Sequence, residues 1–238
     1  TRELEKSKNC MSYGKIFGKY DIFMNCLFKD EKEMGDYITN LISDAENPIS
    51  DYLIINSYFL ELYPVKFFRH KNPEVIFYPS ERSKRKFDDK EIKILKMLAK
   101  NSRERVIDIA KKLNISAELV VYKIKKLQQD KVIVGSRVQF NMAKLGYYFS
   151  LILLDIKNFS HSNKEKIKKF ARNSKHVHNL QFCLTKPNCI IQLFHKEEFE
   201  LRQTIDEIKE IFKNDSINME ISLIGEDETV GRTLPFLN

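Results

Sequence analysis

Displaced by 167 residues, the chain falls on itself. The stretch SYGKIFGKYDIFMNCLFKDEKEMGDYITNLIS, from Ser12, lies on NLQFCLTKPNCIIQLFHKEEFELRQTIDEIKE, from Asn179. Alternating apolar runs meet alternating runs, turn meets turn, and a helical period meets a helical period. A later run, DYLIINSYFLEL, matches NMEISLIG. The second stretch sits in a fuller series. Residues 147–156 (YYFSLILLDI) read as a strand, with aromatic and β-branched residues. A Lys-rich helix follows, opened by a Ser162/Glu165 capping box, with Ile167 and Phe170 inward. HNLQFCL and NCIIQLF are two strands joined by Thr185-Lys186-Pro187-Asn188. Glu197 to Phe212 is a helix with Leu201, Ile205, Ile208 and Phe212 inward, and NMEISLIG is a last strand. That β-α-β-β-α-β order is ferredoxin-like. Residues 1–63 therefore read as the second strand, third strand, second helix and fourth strand of the same unit. The rest of that first unit is expected upstream of Thr1.

The charge divides the chain differently. Residues 1–85 hold 13 basic and 13 acidic side chains, and residues 146–238 also hold 13 of each. Residues 86–145 hold 15 basic and 7 acidic, so this segment carries the whole net charge of +8. A basic module between two neutral ones suits a polyanion partner. The alternative is a solvated helical face. The overall composition, 42% hydrophobic and 31% charged, is that of a globular protein. The apolar runs are too short to cross a membrane.

The basic segment reads as three short helices. In FDDKEIKILKMLAKN, Ile92, Leu95 and Leu98/Ala99 share a stripe, with Asp88 and Asp89 at the positive end of the helix dipole. In VIDIAKKL, Ile109, Ala110 and Leu113 face inward. The turn NIS ends on Ser116, a cap for the third helix, AELVVYKIKKLQQ. There Val120, Ile124 and Leu127 form the buried stripe, and Glu118, Tyr122, Lys125, Lys126 and Gln129 the opposite face. VIVGSRVQF alternates like a two-stranded wing. These features describe a winged helix-turn-helix, whose third helix enters the DNA major groove.

The same residues resemble the Lrp/AsnC family of prokaryotic transcription regulators. The run FDDKEIKIL, Asn101-Ser102-Arg103, IDIAKKLNIS, Val120-x-x-Lys123-Ile124-x-x-Leu127, VIVG and KLGY is similar to that family's D-x-x-D-x-x-IL, N-x-R, LA-x-x-L-x-x-S, V-x-x-R-I-x-x-L and G-x-I-x-G landmarks. The likeness is collinear over the basic segment. The chain departs at Glu91 for the second Asp, Lys123 for Arg, and Lys131 for the Gly before the wing. The resemblance implies a ferredoxin-like effector and oligomerisation domain after the winged helix. The whole is then an α+β chain: a partial ferredoxin-like effector domain at 1–63, a linker at 64–85, a winged helix-turn-helix at 86–145 and a ferredoxin-like domain at 146–238. The linker is punctuated by Pro64, Pro73 and Pro79 and ends in the basic run ERSKRK, either a phosphate track or a solvated hinge.

For double-stranded DNA, Ser116, Ala117, Glu118, Val121 and Tyr122 lie at the front of the third helix. Glu118 suits a cytosine amino group and Tyr122 a stack or a phosphate. Arg103, Lys123, Lys125, Lys126 and Arg137 are phosphate candidates, with pairing to Asp108 or Glu104 as the alternative for Arg103. The resemblance also implies a small effector, often an amino acid, near the turn between the second and third effector-domain strands. The carried-over positions are Gly18, Tyr20 and Asp21, where Gly18 admits a close ligand and Asp21 meets an ammonium. The alternative is a good hairpin turn. In the second copy Lys186, Pro187 and Asn188 stand there, which points to assembly alone. Self-association through the effector domains is the expected second partnership, within one chain or between chains.

Cys10, Cys26, Cys183 and Cys189 show no CxxC spacing and read as reduced, buried thiols of a cytoplasmic protein. His176 and His178, near Cys183, lack a fourth metal ligand at recognisable spacing. No cofactor is expected. No nucleophile–base pair, P-loop or Rossmann motif is visible, so the chain reads as a regulator and not an enzyme. Two other classes remain. One is a non-specific nucleic-acid-binding or ligand-sensing scaffold. The other is a tetrapyrrole-pathway decarboxylase, since such enzymes are similar in fold to this family and would use His176 and His178.

Overall fold

The computed structural model describes residues 7–43, 49–67, 76–78, 86–136, 138, 140–225 and 229–230. Among the described residues nine strands run in chain order: β1 (Cys10–Phe17), β2 (Ile22–Cys26), β3 (Ser57–Leu62), β4 (Ile76–Tyr78), β5 (Tyr148–Ile156), β6 (Val177–Cys183), β7 (Cys189–His195), β8 (Ile217–Ile224) and β9 (Thr229–Val230). The α-helices are α1 (Glu31–Ile42), α2 (Asp89–Lys100), α3 (Val106–Leu113), α4 (Ala117–Gln129), α5 (His161–Asn173) and α6 (Glu198–Ile211). Among the described residues no helix is long and apolar enough to cross a membrane.

The strands form one antiparallel sheet, ordered β2-β1-β8-β5-β7-β6-β3-β4, with β9 beside β1. Its middle, β8-β5-β7-β6, with α5 after β5 and α6 after β7, is the ferredoxin-like unit. β7 (CIIQLFH) is buried along its whole length, the mark of a strand covered on both faces. On one face Ile152, Leu154, Leu180, Phe182, Ile191 and Leu193 pack against Ile167 and Ala171 of α5 and Ile208 of α6. On the other, Phe149, Leu151, Leu153, Ile190 and Phe194 meet Ile16, with Tyr20, Phe23, Ile55, Val65 and Phe67 at the margin. All six of these covering residues precede the winged helix.

The N-terminal strands occupy both edges of that unit. β1 pairs with β8, matching Ile16 to Ile224 and Phe17 to Leu223. β3 pairs with β6, matching Phe59 to Phe182 and Leu62 to Asn179. β6, β7 and α6 each begin 167 residues after β1, β2 and α1, the displacement at which the sequence falls on itself. On that correspondence β1 is the counterpart of β6. By the match of the later runs, β3 is the counterpart of β8. The two edge pairings are therefore one contact made twice with roles exchanged.

A buried polar latch fixes the β3 edge. The Glu61 carboxylate is fully buried. It accepts from Arg172 Nε at 3.0 Å and Nη2 at 2.5 Å, and from the Tyr63 hydroxyl at 2.6 Å. Lys66 Nζ lies 4.1 Å from the Tyr63 ring centroid and donates to the carbonyls of Ala171 and Ser174 at 2.5 and 2.7 Å. The ammonium thus sits on the last carbonyls of α5, where the helix dipole favours a cation.

Two local expectations change, and the α2 stripe gains a member. Ser160, not Ser162, caps α5 and accepts from Asn163. In α2 the fully buried residue is Ile94, with Leu95 beside it; Ile92 packs in a smaller cluster with Leu127 and Val132. No strand appears among the described residues of VIVGSRVQF. Val132 and Ile133 pack beside Leu95 and Leu127, while Val134, Val138 and Phe140 are exposed.

Candidate nucleic-acid interface

The helix-turn-helix is assembled by its caps. Asp88 caps α2 in a reciprocal capping box with Glu91. Asn114 ends α3 in the left-handed region (φ 50°), where Asn is better tolerated than most residues; Ile115 N–H then reaches the Ala110 carbonyl at 3.1 Å. Ser116 accepts from Leu119 N–H at 3.2 Å and starts α4. Ile94, Ile109, Ala110 and Val120 form the shared core. Because Val120 and Leu127 are fully buried, the face opposite them is the outer one.

That outer face carries most of the expected DNA residues. Glu118, Val121, Tyr122, Lys125 and Lys126 are exposed, as is Ser116, while Ala117 is half-buried. The Glu118 carboxyl is held below the usual carboxylate range by the backbone N–H of its own residue and by Ser116. It remains an acceptor at neutral pH. Lys123 stands apart. Its ammonium bonds Asp88 on α2, and its side chain is 12% exposed. The contact holds the Asp88 carboxyl below its ordinary range and ties α4 to α2.

Arg103 is exposed on the turn between α2 and α3, with its N–H on the Asn101 side chain at 3.1 Å. The partners that the sequence offered it are held by others. Asp108 takes two bonds from Arg105, at 2.7 and 3.2 Å, and Glu104 takes Lys112 at 2.6 Å. Arg105 went unmarked in the sequence; its i,i+3 spacing to Asp108 was the available signal. Arg137 and most of the basic run ERSKRK, residues 81–85, lie outside the described residues.

The Gly18–Asp21 turn joins β1 to β2, closed by Ile16 N–H on the Asp21 carbonyl at 2.9 Å. A Cβ at Gly18 would stand 2.6 Å from Ser222 Oγ and 3.2 Å from Ser222 Cβ, so a side chain there would have to displace Ser222 of β8. Tyr20 packs at the edge of the helix-free core, and Asp21 is exposed. In the second copy Asn188 is absorbed by structure: its side chain accepts from Ile156 N–H at 3.1 Å and donates to the Ile156 carbonyl at 2.8 Å. Lys186 pairs with Asp155 at 2.9 Å.

The histidines separate. A register shift between Val177 and Asn179 breaks the strand alternation. His176 Nδ1 faces the Phe194 carbonyl at 3.1 Å and its Nε2 lies 3.9 Å from Glu200 of α6, whereas His178 packs beside Phe149 and Phe194 on the helix-free side. Among the described residues no group of three His, Cys, Asp or Glu side chains is placed to hold a metal. A pair that the sequence did not reveal is Ser150 Oγ and His195 Nε2, 2.8 Å apart on β5 and β7. Ser150 is fully buried and His195 is 3% exposed, so the pair is closed to a substrate and ties two strand ends together.

Comparison with known proteins agrees with this geometry. A family model described as winged helix-turn-helix DNA-binding matches residues 87–134. The uncharacterized HTH-type transcriptional regulator PF1734 of Pyrococcus furiosus is 42% identical over 66 residues, 28% of this chain and 45% of the relative. The chain thus spans about half the length of that relative. The uncharacterized HTH-type transcriptional regulator PH1055 of Pyrococcus horikoshii is 26% identical over 155 residues, 64% of this chain and 95% of the relative. Among solved structures, AsnC of E. coli superposes with a TM-score of 0.53 at 18% identity, covering 63% of this chain and 99% of that one. The transcriptional regulator NMB0573 of Neisseria meningitidis, solved as its L-Met complex, gives 0.56 at 14% identity, covering 63% and 97%. The helix-turn-helix, the ferredoxin-like unit behind it and these relatives agree: the chain is similar to HTH-type regulators of the Lrp/AsnC kind.

Proposed function

We propose that this chain is a sequence-specific, double-stranded-DNA-binding transcription regulator, with α4 in the major groove. The observation that carries the reading is the outer face of α4. Val121 and Tyr122 stand exposed beside Lys125 and Lys126, on a helix whose other side is locked into the module core. Ser116, Ala117, Glu118, Val121 and Tyr122 meet base edges; Lys125, Lys126, Arg103 and Arg137 meet phosphates. Lys123 contributes chiefly through Asp88. Fluorescence anisotropy on duplex DNA across a salt series tests this. Lys125→Ala/Lys126→Ala should weaken binding and make the log–log salt slope shallower by roughly 0.9 for each phosphate no longer neutralised. An unchanged slope, or no binding at low salt, overturns the reading. Equal affinity for random duplexes and for sequences enriched by selection would leave a non-specific binder.

The N-terminal segment is, on the same reading, a second copy of the effector domain in part. It serves as the internal partner of the domain behind the winged helix. Support comes from the shared 167-residue displacement of β1, β2 and α1 and from the exchanged edge pairings. Gly18, Tyr20 and Asp21 are the proposed effector turn, with the exposed Asp21 carboxylate receiving the ammonium of an amino acid. Calorimetric titration with a panel of amino acids, repeated on Asp21→Asn, checks this. Binding that survives the substitution places the effector elsewhere.

A further inference from the structure

Cys10 and Cys26 face each other across the open end of the β1–β2 hairpin. In the adjoining pair, Leu27 N–H donates to the Asn9 carbonyl at 2.9 Å. The cysteines therefore occupy a non-hydrogen-bonded position of the ladder, where opposed Cα atoms stand ~4.5 Å apart and side chains are closest. That spacing falls within the ~4.4–6.8 Å that a disulfide spans. Neither cysteine is in a disulfide; Cys10 Sγ donates to the Ser12 carbonyl at 3.5 Å, and the Cys26 side chain hydrogen-bonds Cys10. Tyr13, Met24 and Leu41 pack around them, and the Tyr37 hydroxyl of α1 reaches Cys26. The other two cysteines are differently placed. Cys183 belongs to the helix-free core and Cys189 to the helix-side core, so the sheet separates them.

We propose that Cys10 and Cys26 are a covalent modification site: a preformed dithiol that a small peroxide converts to a reversible cross-strand disulfide. The Cys10 thiolate attacks one peroxide oxygen, breaking the O–O bond and leaving a sulfenic acid and, after protonation, water. The Cys26 sulfur then attacks the sulfenic sulfur, its proton leaves with the hydroxyl as a second water, and the S–S bond forms. Two thiols are oxidised by two electrons and one peroxide is reduced. The hydrogen bond from Cys26 lowers the Cys10 pKa and raises that of Cys26, which sets this order of attack. Cys10 is only 3% exposed, so a small oxidant is required and a bulky disulfide is excluded. The bond would staple the hairpin at the end opposite the Gly18–Asp21 turn.

The test uses the full reduced chain and hydrogen peroxide. Thiols are then blocked in denaturant, and peptides are mapped without reduction. The expected result is loss of two of four blockable thiols and of two hydrogens from the intact mass. A single crosslink should join the Cys10 and Cys26 peptides, and dithiothreitol should reverse it. Cys10→Ser should leave Cys26 uncrosslinked, accumulating stable oxygen adducts at most. Sulfinic acid on either cysteine of the wild type before any crosslink, or a crosslink that includes Cys183 or Cys189, overturns the proposal. So does retention of all four thiols once methionines have begun to oxidise. Wild-type mapping is decisive even if the serine variant fails to fold.

Discussion

Glu61 shows how one buried carboxylate determines where a strand can lie. Its charge is compensated across 111 residues of sequence by Arg172, on a helix of the following domain. Removing that guanidinium strands a fully buried charge, which in other proteins costs ~3–5 kcal/mol. The Arg172 side chain is 44% exposed, so Arg172→Ala is expected near the lower end, about 3 kcal/mol. Urea unfolding checks this. Glu61→Gln added to Arg172→Ala should recover part of the loss, because the penalty lies in the charge. Lys66 adds a pH signature. Burial pushes its ammonium down to about 8 from the usual 10.5, against the opposing pull of Glu61. Below pH 8 folded and unfolded chains are both protonated there, and the burial penalty is complete. Between pH 8 and 10.5 only the unfolded chain holds the proton, so this group makes stability rise with pH. Relative to wild type, Lys66→Met should flatten that rise in the urea midpoint; identical profiles would mean that the ammonium is not desolvated.

Among the elements, helices and central strands were the legible part. Their periodicities are strong, and Ser116 was legible as the cap of α4, whereas Asp88 was legible only as an acid at the positive end of α2 and proves to cap it as well. What failed was local pattern taken alone. VIVGSRVQF has strand alternation, but beyond Val132 and Ile133 its apolar side chains Val134, Val138 and Phe140 are exposed and no strand forms among its described residues. Ser162 has the capping-box spacing, yet Ser160 lies two residues nearer the turn and takes the role. Within the interface, the outer face of α4 could be read from the buried stripe. The Lys123–Asp88 pair could not, since 35 residues separate its members. The end of α4 carries a sharper consequence. Lys131 N–H bonds the Gln128 carbonyl at 3.0 Å and Val132 N–H bonds that of Leu127 at 2.9 Å, with Val132 packed on Leu127. This is the Schellman arrangement, and Lys131 holds its left-handed position at φ 55°. Glycine avoids the Cβ strain of ~1–2 kcal/mol there but loses more chain entropy. Lys131→Gly should therefore stabilise the winged helix by about 0.5–1 kcal/mol. A raised Tm checks it; a lowered one would show that the Lys131 side chain outweighs its backbone strain.

At the scale of the whole molecule, the helix-free face of the ferredoxin-like unit is covered from within the chain. Phe149, Leu151, Leu153, Ile190 and Phe194 are each at least nine-tenths buried. Large apolar side chains of this kind gain ~1.5–3 kcal/mol apiece on full burial. Part of their cover comes from Ile16, Tyr20, Phe23 and Ile55, and the two sheet edges beside them are filled by β1 and β3. PH1055 is matched over 95% of its length by 155 residues of this chain, which leaves about a third of this chain outside the match. The cover of this face comes from within the chain. Removing residues 1–63 should thus expose an apolar face together with the free edges of β6 and β8, a combination that drives association. Sedimentation should show the shortened chain moving from the full chain's mass to a dimer or larger species, with the helix-turn-helix unaltered. A shortened chain that stays monomeric and folded would show that the N-terminal strands are ornament on a self-sufficient sheet. If it dimerises, its DNA footprint should double in length, since two α4 helices replace one for each folded unit.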